Sequence, residues 1–291
     1  MRPIDYNRLT AQLLALLISV STQVQAAEDI RAEAPARAQV KPVVGGLDHA
    51  FDAAPKRPEG FLGPLGEHLS AKIRAYDYRQ DKENGDENMA SVIGGSLSYH
   101  TGHWRDRLGF GATVYTSQKI WGPQDKGGTG LLKETQNSFT VLGEAYAELK
   151  FDEFEVVAFR REMDLPYINK EDIREVPITH ESYMIGLRGT GRDFALGHVT
   201  QIKLRDEDSF ISMSEAAGVA NTDKGVSVAG FQIALPREVR VGAMSQYGWD
   251  TFNTFYTDVM WDHQHASGWS NHLGAQFTDQ RSVGDELLGN Y

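Results

Sequence analysis

Apolar and polar residues alternate with a period of two along most of the chain after residue 60. The segment 139–151 shows this most clearly, with polar side chains such as Glu144, Tyr146 and Glu148 between the apolar ones. Its apolar positions are Phe139, Val141, Gly143, Ala145, Ala147, Leu149 and Phe151. Because successive side chains of a strand point to opposite faces, this pattern predicts a long β-strand with one apolar face.

Ten other segments alternate in the same way and are separated by glycine- or aspartate-rich breaks, which indicate turns. No helical pattern of comparable length is present in the sequence. With 139–151, the predicted strands number about eleven: 68–78, 90–99, 107–118, 154–162, 180–188, 194–203, 225–235, 239–249, 251–261 and 269–279. The sequence therefore predicts an all-β, antiparallel fold.

Alternation fits two architectures, because a soluble sandwich buries the apolar face whereas a membrane barrel turns it towards lipid. Three features favour the barrel. Several runs reach the roughly 9–11 residues that a tilted strand needs to cross a bilayer. Short breaks such as 151–153 and 189–192 alternate with long polar ones, and aromatic residues such as Trp104, Trp121 and Trp249 stand at strand ends.

One long polar segment, 205–224, separates two of the predicted strands. It combines three acidic residues at its start with serines and small residues, and loops of this length are usually functional or disordered. We expect this loop to fold inward and narrow the hole through the barrel.

The N-terminus has the organisation of a secretory signal peptide. Arg2 and Arg8 precede a short apolar run at 13–20, and a small-x-small cleavage site follows at 24–26. The apolar run is too short for a membrane-spanning helix. We therefore expect residues 1–26 to be a signal peptide, residues 27–60 a flexible leader rich in alanine, proline and charge, and residues 61–291 the barrel.

Composition excludes several other classes of protein. The net charge of −11 argues against a nucleic-acid partner, which would require a basic surface. The absence of cysteine excludes a disulfide scaffold and a zinc–thiolate site. No phosphate-binding or dinucleotide-binding glycine motif is present, so the sequence predicts no cofactor.

Residues 160–179, RREMDLPYINKEDIREVPIT, resemble the OprD-type outer-membrane porins of Gram-negative bacteria through Leu165-Pro166, Asp172-Ile173-Arg174 and Pro177. Segments 194–219, 248–258 and 276–289 are also similar to this family. The resemblance implies a substrate-selective channel, a barrel of eighteen strands narrowed by inward-folded loops. In such a channel a row of basic side chains faces an acidic or hydroxyl-lined pocket, and the substrates carry a carboxylate.

The sequence departs from the family at its end, where relatives carry further strands and a closing terminal strand. An odd number of strands does not suit a bacterial single-chain barrel. We therefore expect the sequence to be a piece of a longer barrel.

Five cations and six loop residues are the candidates for lining the pore. The cations are Lys72, Arg74, Arg107, Arg161 and Arg174, and the loop residues are Asp206, Asp208, Ser209, Ser212, Ser214 and Glu215. The alternative for each cation is a solvated rim charge, and for Arg174 an ion pair with Asp172 or Asp164. Alternation does not decide whether Arg160 or Arg161 faces the lumen.

The sequence thus predicts an outer-membrane porin rather than an enzyme, passing small hydrophilic, carboxylate-bearing solutes such as amino acids and organic acids. The expected partners are these solutes, outer-membrane lipid and the barrel assembly machinery, with the protein a monomer or a trimer. One alternative is a serine peptidase that uses His198, although no G-x-S-x-G motif is present. Another is a non-conducting structural or adhesive barrel. His263 and His265 could bind a metal, but no further ligands are evident.

Overall fold

A computed structural model describes residues 68–82, 86–265 and 268–289. The predicted signal peptide and leader lie outside these ranges and stay predictions. A four-residue helix, α1, covers Met213–Ala216. The strands are β1 (Leu69–Asp81), β2 (Glu87–His100), β3 (Leu108–Trp121), β4 (Phe139–Phe151), β5 (Phe154–Arg161), β6 (Asp164–Leu165), β7 (Ile168–Asn169), β8 (Thr179–Gly189), β9 (Arg192–Lys203), β10 (Ile211–Ser212), β11 (Val226–Leu235), β12 (Val239–Gly248), β13 (Phe252–Gln264) and β14 (Ser270–Ser282).

Twelve of the strands form one sheet in which neighbours along the main path follow chain order. Every pairing in it is antiparallel, and β1 and β14 are its two end strands within the described residues. The short β10 pairs beside β9, and β6 with β7 forms a separate small hairpin. The eleven strands of the main path coincide with the eleven predicted ones, so the predicted all-β antiparallel fold is confirmed.

Connections at the two ends of the sheet differ in length. One end carries the short turns 152–153, 190–191 and 236–238. The other end carries three long loops, which we call the first loop (122–138), the second loop (162–178) and the third loop (204–225). From β3 to β12 the predicted short and long breaks therefore alternate in the structure, whereas the connection 249–251 is short although it lies at the long-loop end.

The second loop defines two faces of the sheet, because its apolar residues cover one side only. We call the covered side the inner face and the opposite side the outer face. The outer face exposes large apolar side chains on strand after strand, among them Ile73, Leu97, Phe110, Ile185, Leu196, Val259 and Phe277. Such a continuous apolar surface would be unstable in water and suits contact with lipid.

The β4 strand corrects the sequence prediction of one continuous apolar face. Gly143 is an extra residue on β4, because Thr113 pairs with Glu144 and Val114 pairs with Leu142. This β-bulge reverses the alternation, so Phe139 and Val141 are buried on the inner face whereas Ala147 lies on the outer one. The prediction was right from residue 145 onward and wrong before the bulge.

The second loop packs its apolar hairpin onto the inner face of β5 to β12. Met163, Leu165 and Ile168 are buried in one cluster with wall residues that include Val157, Met184, Val199, Val226, Val228 and Met244. At the turn of the hairpin, the Tyr167 hydroxyl lies 2.7 Å from the Thr278 hydroxyl of β14. This part of the sheet is therefore apolar on both faces, and the loop keeps water from the inner one.

Gly95 offers a test of the β1–β2 pairing. Its φ of +134° is unfavourable for other residues, and a Cβ there would overlap the Lys72 carbonyl of β1. We expect Gly95→Ala to destabilise the fold by roughly 2–4 kcal/mol, because backbone strain adds to the displacement of an end strand. The temperature at which the folded band is lost in heat-modifiability gels measures this effect.

Gly218→Ala is the matched control, since Gly218 also has a positive φ but nothing within 4 Å of the added Cβ. If Gly95→Ala and Gly218→Ala lose the same amount of stability, the close approach of β1 to Gly95 contributes nothing to the effect.

Candidate functional site

A cavity of about 460 Å³ lies between the inner face of β1 to β4 and the second loop. The inner face is polar at this place, in contrast to the apolar wall under the hairpin. Its lining contains four cations and four acids: Lys72, Arg74, Arg161, Lys170, Glu144, Glu162, Asp172 and Glu175. Three of the predicted cations therefore lie around one cavity, and the acids opposite them come mainly from the second loop.

Arg74 and Asp172 form the closest charged contact in the cavity. The guanidinium meets the carboxylate at two points, Nη1–Oδ1 at 2.5 Å and Nη2–Oδ2 at 2.6 Å. Lys72 Nζ lies 3.5 Å from the same carboxylate, and Arg74 also donates to the Arg174 carbonyl at 2.7 Å. Two-point contacts of this kind are among the strongest ion pairs in proteins. The second loop is thereby fastened to the end strand β1.

Arg161, not Arg160, faces the cavity. Arg161 is 4% exposed and its guanidinium lies over the Tyr146 ring. Arg160 points elsewhere and pairs with Glu181 at 3.2 Å. Phe159, also on β5, has a φ of +78°, and its ring turns outward beside Tyr183. Arg161 keeps the inward position. The structure thus decides the assignment that alternation left open.

Two carboxyl groups share one tyrosine at the base of the second loop. The Tyr115 hydroxyl lies 2.8 Å from Glu162 and 3.2 Å from Glu144, and the Glu162 backbone N–H donates to Glu144 at 3.0 Å. Lys170 pairs with Glu162 at 3.3 Å. Burial and the Glu144 carboxylate raise the pKa of Glu162 above its ordinary value.

Glu175 is a buried carboxyl at the edge of the cavity. It is 1% exposed, and neither of its oxygens has a hydrogen-bond partner among the described residues. Desolvation raises its pKa, Arg74 opposes this shift and Asp172 adds to it. Its protonated form is therefore favoured relative to an ordinary glutamate.

The three long loops hold one another in place. Arg205 of the third loop pairs with Glu171 of the second, and Asp208 pairs with Lys133 of the first at 2.6 Å. Arg174 donates to the Thr129 carbonyl of the first loop at 3.2 Å and lies over the Tyr78 ring. Arg174 therefore anchors loops, although through a carbonyl and a ring rather than through Asp172 or Asp164.

Lys203 ties the second and third loops together where they leave the wall. Its side chain is fully buried, and its Nζ donates to the Pro177 and Leu204 carbonyls at 2.9 Å each. A buried ammonium is costly unless its hydrogen bonds are made, so this contact specifies one arrangement of both loops.

Several of the predicted site residues lie away from the large cavity. Arg107 stands at the short-turn end, over the Phe151 ring. Arg174 and Asp206 line a smaller cavity of about 330 Å³ between the first and third loops. Ser209 and Glu215 are exposed on the third loop.

Ser212 and Ser214 are buried inside the third loop. Ser212 accepts from the Glu215 backbone N–H and caps α1, and both serine hydroxyls donate to the Thr222 carbonyl. These hydroxyls stabilise the loop and are not free to meet a solute.

His198 does not join the loop serines that the peptidase alternative requires. Among the hydrogen bonds of the described residues, its ring meets the Ser227 hydroxyl at 3.1 Å, and Trp249 donates to that same hydroxyl at 3.0 Å. His263 pairs with Glu238 at 2.7 Å, and the described chain contains no cluster of three or more metal-ligating side chains.

Sequence reasoning missed Glu144, Glu162, Lys170, Asp172 and Glu175 as lining residues. The signal for four of them was present, because all but Glu144 stand inside the family-like segment 160–179.

An antiparallel sheet with an apolar outer face, long loops at one end and a charged cavity under one of them is the wall of a transmembrane β-barrel. Within the described residues, no helix has the length and apolar character to cross a membrane. A model of the family described as "outer membrane porin, OprD family" matches residues 59–291. The chain belongs to this family, and its location is the outer membrane.

Solved porins share the fold at low sequence identity. Pseudomonas aeruginosa OccK9 (OpdG) is 21% identical with a TM-score of 0.69, covering 79% of this chain and 62% of its own. P. aeruginosa OpdK with vanillate is 17% identical with a TM-score of 0.66, covering 79% and 61%. A BenF-like porin of Pseudomonas fluorescens Pf-5 is 18% identical with a TM-score of 0.65, covering 76% and 59%.

The chain therefore spans about six-tenths of the length of these solved porins. A search of curated proteins gave no match.

Lys203→Met tests whether the buried ammonium fixes both loops. The variant keeps an unbranched side chain one heavy atom shorter but leaves two carbonyls without a donor, at a cost of roughly 1–3 kcal/mol each. We expect both the second and the third loop to be cleaved faster in limited proteolysis of the folded protein.

Lys224→Met is the control, because Lys224 is a half-exposed lysine of the third loop that pairs with Asp250 at 2.9 Å. Unchanged cleavage of the second loop in Lys203→Met would contradict the shared-anchor role.

Proposed function

We propose that the protein is a substrate-selective outer-membrane porin for passive uptake of small hydrophilic solutes that carry a carboxylate, such as amino acids and organic acids. The observation that carries this proposal is the charged cavity under the second loop. Lys72, Arg74 and Arg161 stand on its strand side, and Asp172 and Glu175 on its loop side. Membership of a porin family supports the channel itself.

The arrangement of charge suits passage rather than tight binding. The strand cations attract a carboxylate from solution, and the guanidinium fork of Arg74 matches its two oxygens. Arg74 and Lys72 already contact the Asp172 carboxylate at 2.5 and 3.5 Å, so an entering carboxylate competes with an internal one. Competition keeps the affinity low enough for the solute to leave again.

The co-crystallised ligand of a relative supports the same class of solute. OpdK was crystallised with vanillate, which carries a carboxylate. We include outer-membrane lipid and the barrel assembly machinery among the partners, and the protein as a monomer or a trimer, as predictions. No contact of the described residues favours the peptidase or the adhesive alternative.

The direct test is single-channel conductance of the full-length protein in planar bilayers, with vanillate and an amino acid added as candidate solutes. Lys72→Gln removes a half-exposed cation that lines the cavity. We expect the carboxylate to block this variant about fivefold less strongly, because a partly exposed charge pair contributes about 1 kcal/mol.

Arg107→Gln is the matched control, since Arg107 lies over Phe151 at the short-turn end and does not line the cavity. A protein that inserts without conducting would contradict the channel. If the protein conducts but the carboxylate blocks Lys72→Gln, Arg107→Gln and the unmodified protein equally, the role of this cavity is contradicted. The channel itself is not contradicted by that result.

Acidification should strengthen the preference of the pore for anions. Burial raises the pKa of both Glu162 and Glu175, so their protons bind above the ordinary value of about 4.5. Lowering the pH from about 7 to about 5 then protonates a larger fraction of these two carboxyl groups than of ordinary glutamates, which reduces the negative charge facing Arg74 and Lys170. The same raised values mean that these groups stabilise the fold at low pH and lose that contribution as pH rises through the folded-state pKa.

Reversal potentials in a KCl gradient at both pH values measure this effect. Glu175→Gln should reduce the pH-dependent change, whereas Glu215→Gln, on the exposed part of the third loop, should leave it intact. The pH-dependent change in reversal potential is assigned to Glu162 and Glu175. A change of the same size in Glu175→Gln, Glu162→Gln and the unmodified protein would contradict this assignment.

A further inference from the structure

The outer face carries an apolar groove of about 420 Å³ across β8, β9, β11, β12 and β13. Small side chains come together in it, since Ala229 pairs with Ser245 and Ala243 follows on the next row. Larger side chains flank them, with Leu196 opposite Ala229 on one side and Phe255 opposite Ser245 on the other. The groove is therefore a depression in a surface that otherwise exposes bulky residues.

A cation lies directly beneath this groove on the same face. Arg192 pairs opposite Ile233, two residues from the Phe194–Phe231 pair that lines the groove. Two residues along a strand correspond to roughly 6.6 Å, and side chains two apart share a face. Arg192 is exposed, and its guanidinium makes no ion pair with any of the described side chains.

Arg237 adds a second cation at the same end of the sheet. It stands in the 236–238 turn that follows β11, and the Ala234 N–H near the end of β11 donates to the Gly191 carbonyl of the neighbouring turn at 2.7 Å. The base of the groove thus carries two guanidinium groups, with the Glu153 carboxylate of the 152–153 turn near Arg192, whereas the groove itself is apolar. This combination matches the phosphate and the acyl chain of a lipid in both order and spacing.

The orientation of the barrel selects the leaflet. Outer-membrane barrels place their short turns in the periplasm, so Arg192 stands at the level of the periplasmic headgroups. Glycerophospholipids of that leaflet carry a phosphate at this level and an acyl chain that runs towards the bilayer centre.

We propose that Arg192 and the groove of Ala229 and Ala243 form a binding site for one glycerophospholipid of the periplasmic leaflet. The phosphate oxygens meet the Arg192 guanidinium in a two-point contact, and an acyl chain lies in the groove. Transfer of a lipid from the surrounding bilayer to the protein gains little hydrophobic free energy, because both surroundings are apolar. Retention of the lipid therefore depends on close packing in the groove and on the charged contact. The site is independent of whether the pore conducts.

A second copy of the chain is a less suitable occupant. It would need a protruding apolar side chain to fill the groove, and it would leave Arg192 facing the interface without a partner, which is costly. A phosphate satisfies that guanidinium directly.

The test is native mass spectrometry of the full-length protein in mild detergent with phosphatidylglycerol added. Ala229→Phe fills the groove and Arg192→Gln removes the cation. The matched controls are Ala147→Phe, on the outer face of β4 away from the groove, and Arg107→Gln, at the same short-turn end. Heat-modifiability gels confirm that each variant is folded.

We expect one phosphatidylglycerol to be retained per chain, with retention about tenfold weaker in Ala229→Phe and in Arg192→Gln and unchanged in both controls. Equal retention in all variants, or none in the unmodified protein, would overturn the site. Displacement of phosphatidylglycerol by lipid A at equal concentration would overturn the choice of leaflet. A dimer that Ala229→Phe disrupts, without bound lipid, would identify a second copy as the occupant instead.

Discussion

The packing of the second loop onto the inner face is the interaction on which the rest of the molecule depends. Lipid requires an apolar outer face along the whole sheet, yet Val157, Met184 and Val228 make much of the inner face apolar as well. Exposed to water, that inner surface would destabilise the barrel. Leu165 and Ile168 cover it, and the polar inner face of β1 to β4 is left to line the cavity.

Stability and selectivity are coupled because one loop serves both. Its apolar hairpin anchors it to the wall, and its charged part supplies Asp172 and Glu175 to the cavity. Burying carboxylates is unfavourable, and the two-point contact of Arg74 with Asp172 offsets part of that cost. A change that weakens this contact therefore alters both the position of the loop and the charge that a solute meets.

The strands were predictable because the bilayer imposes a period of two on every one of them. The exceptions have local backbone causes that side-chain patterns do not reveal. At Gly143 a bulge reverses the faces of β4, so Phe139 and Val141 are buried inside although they continue the apolar pattern. At Phe159 a positive φ turns a ring outward, which hid the inward position of Arg161.

The site was predictable only where a strand fixes the direction of a side chain. Lys72 and Arg74 follow from alternation, because the outer face must be apolar and the polar positions of β1 must point inward. Loop residues have no such constraint. Asp172 is placed by Arg74, about a hundred positions earlier in the chain, and the serines of the third loop are withdrawn by hydrogen bonds within that loop. Which polar loop folds over a cavity is decided by the apolar residues that anchor it, and in the second loop these are Met163, Leu165 and Ile168. A short apolar hairpin inside an otherwise polar loop is therefore a better sequence indicator of inward folding than the polarity of the loop itself.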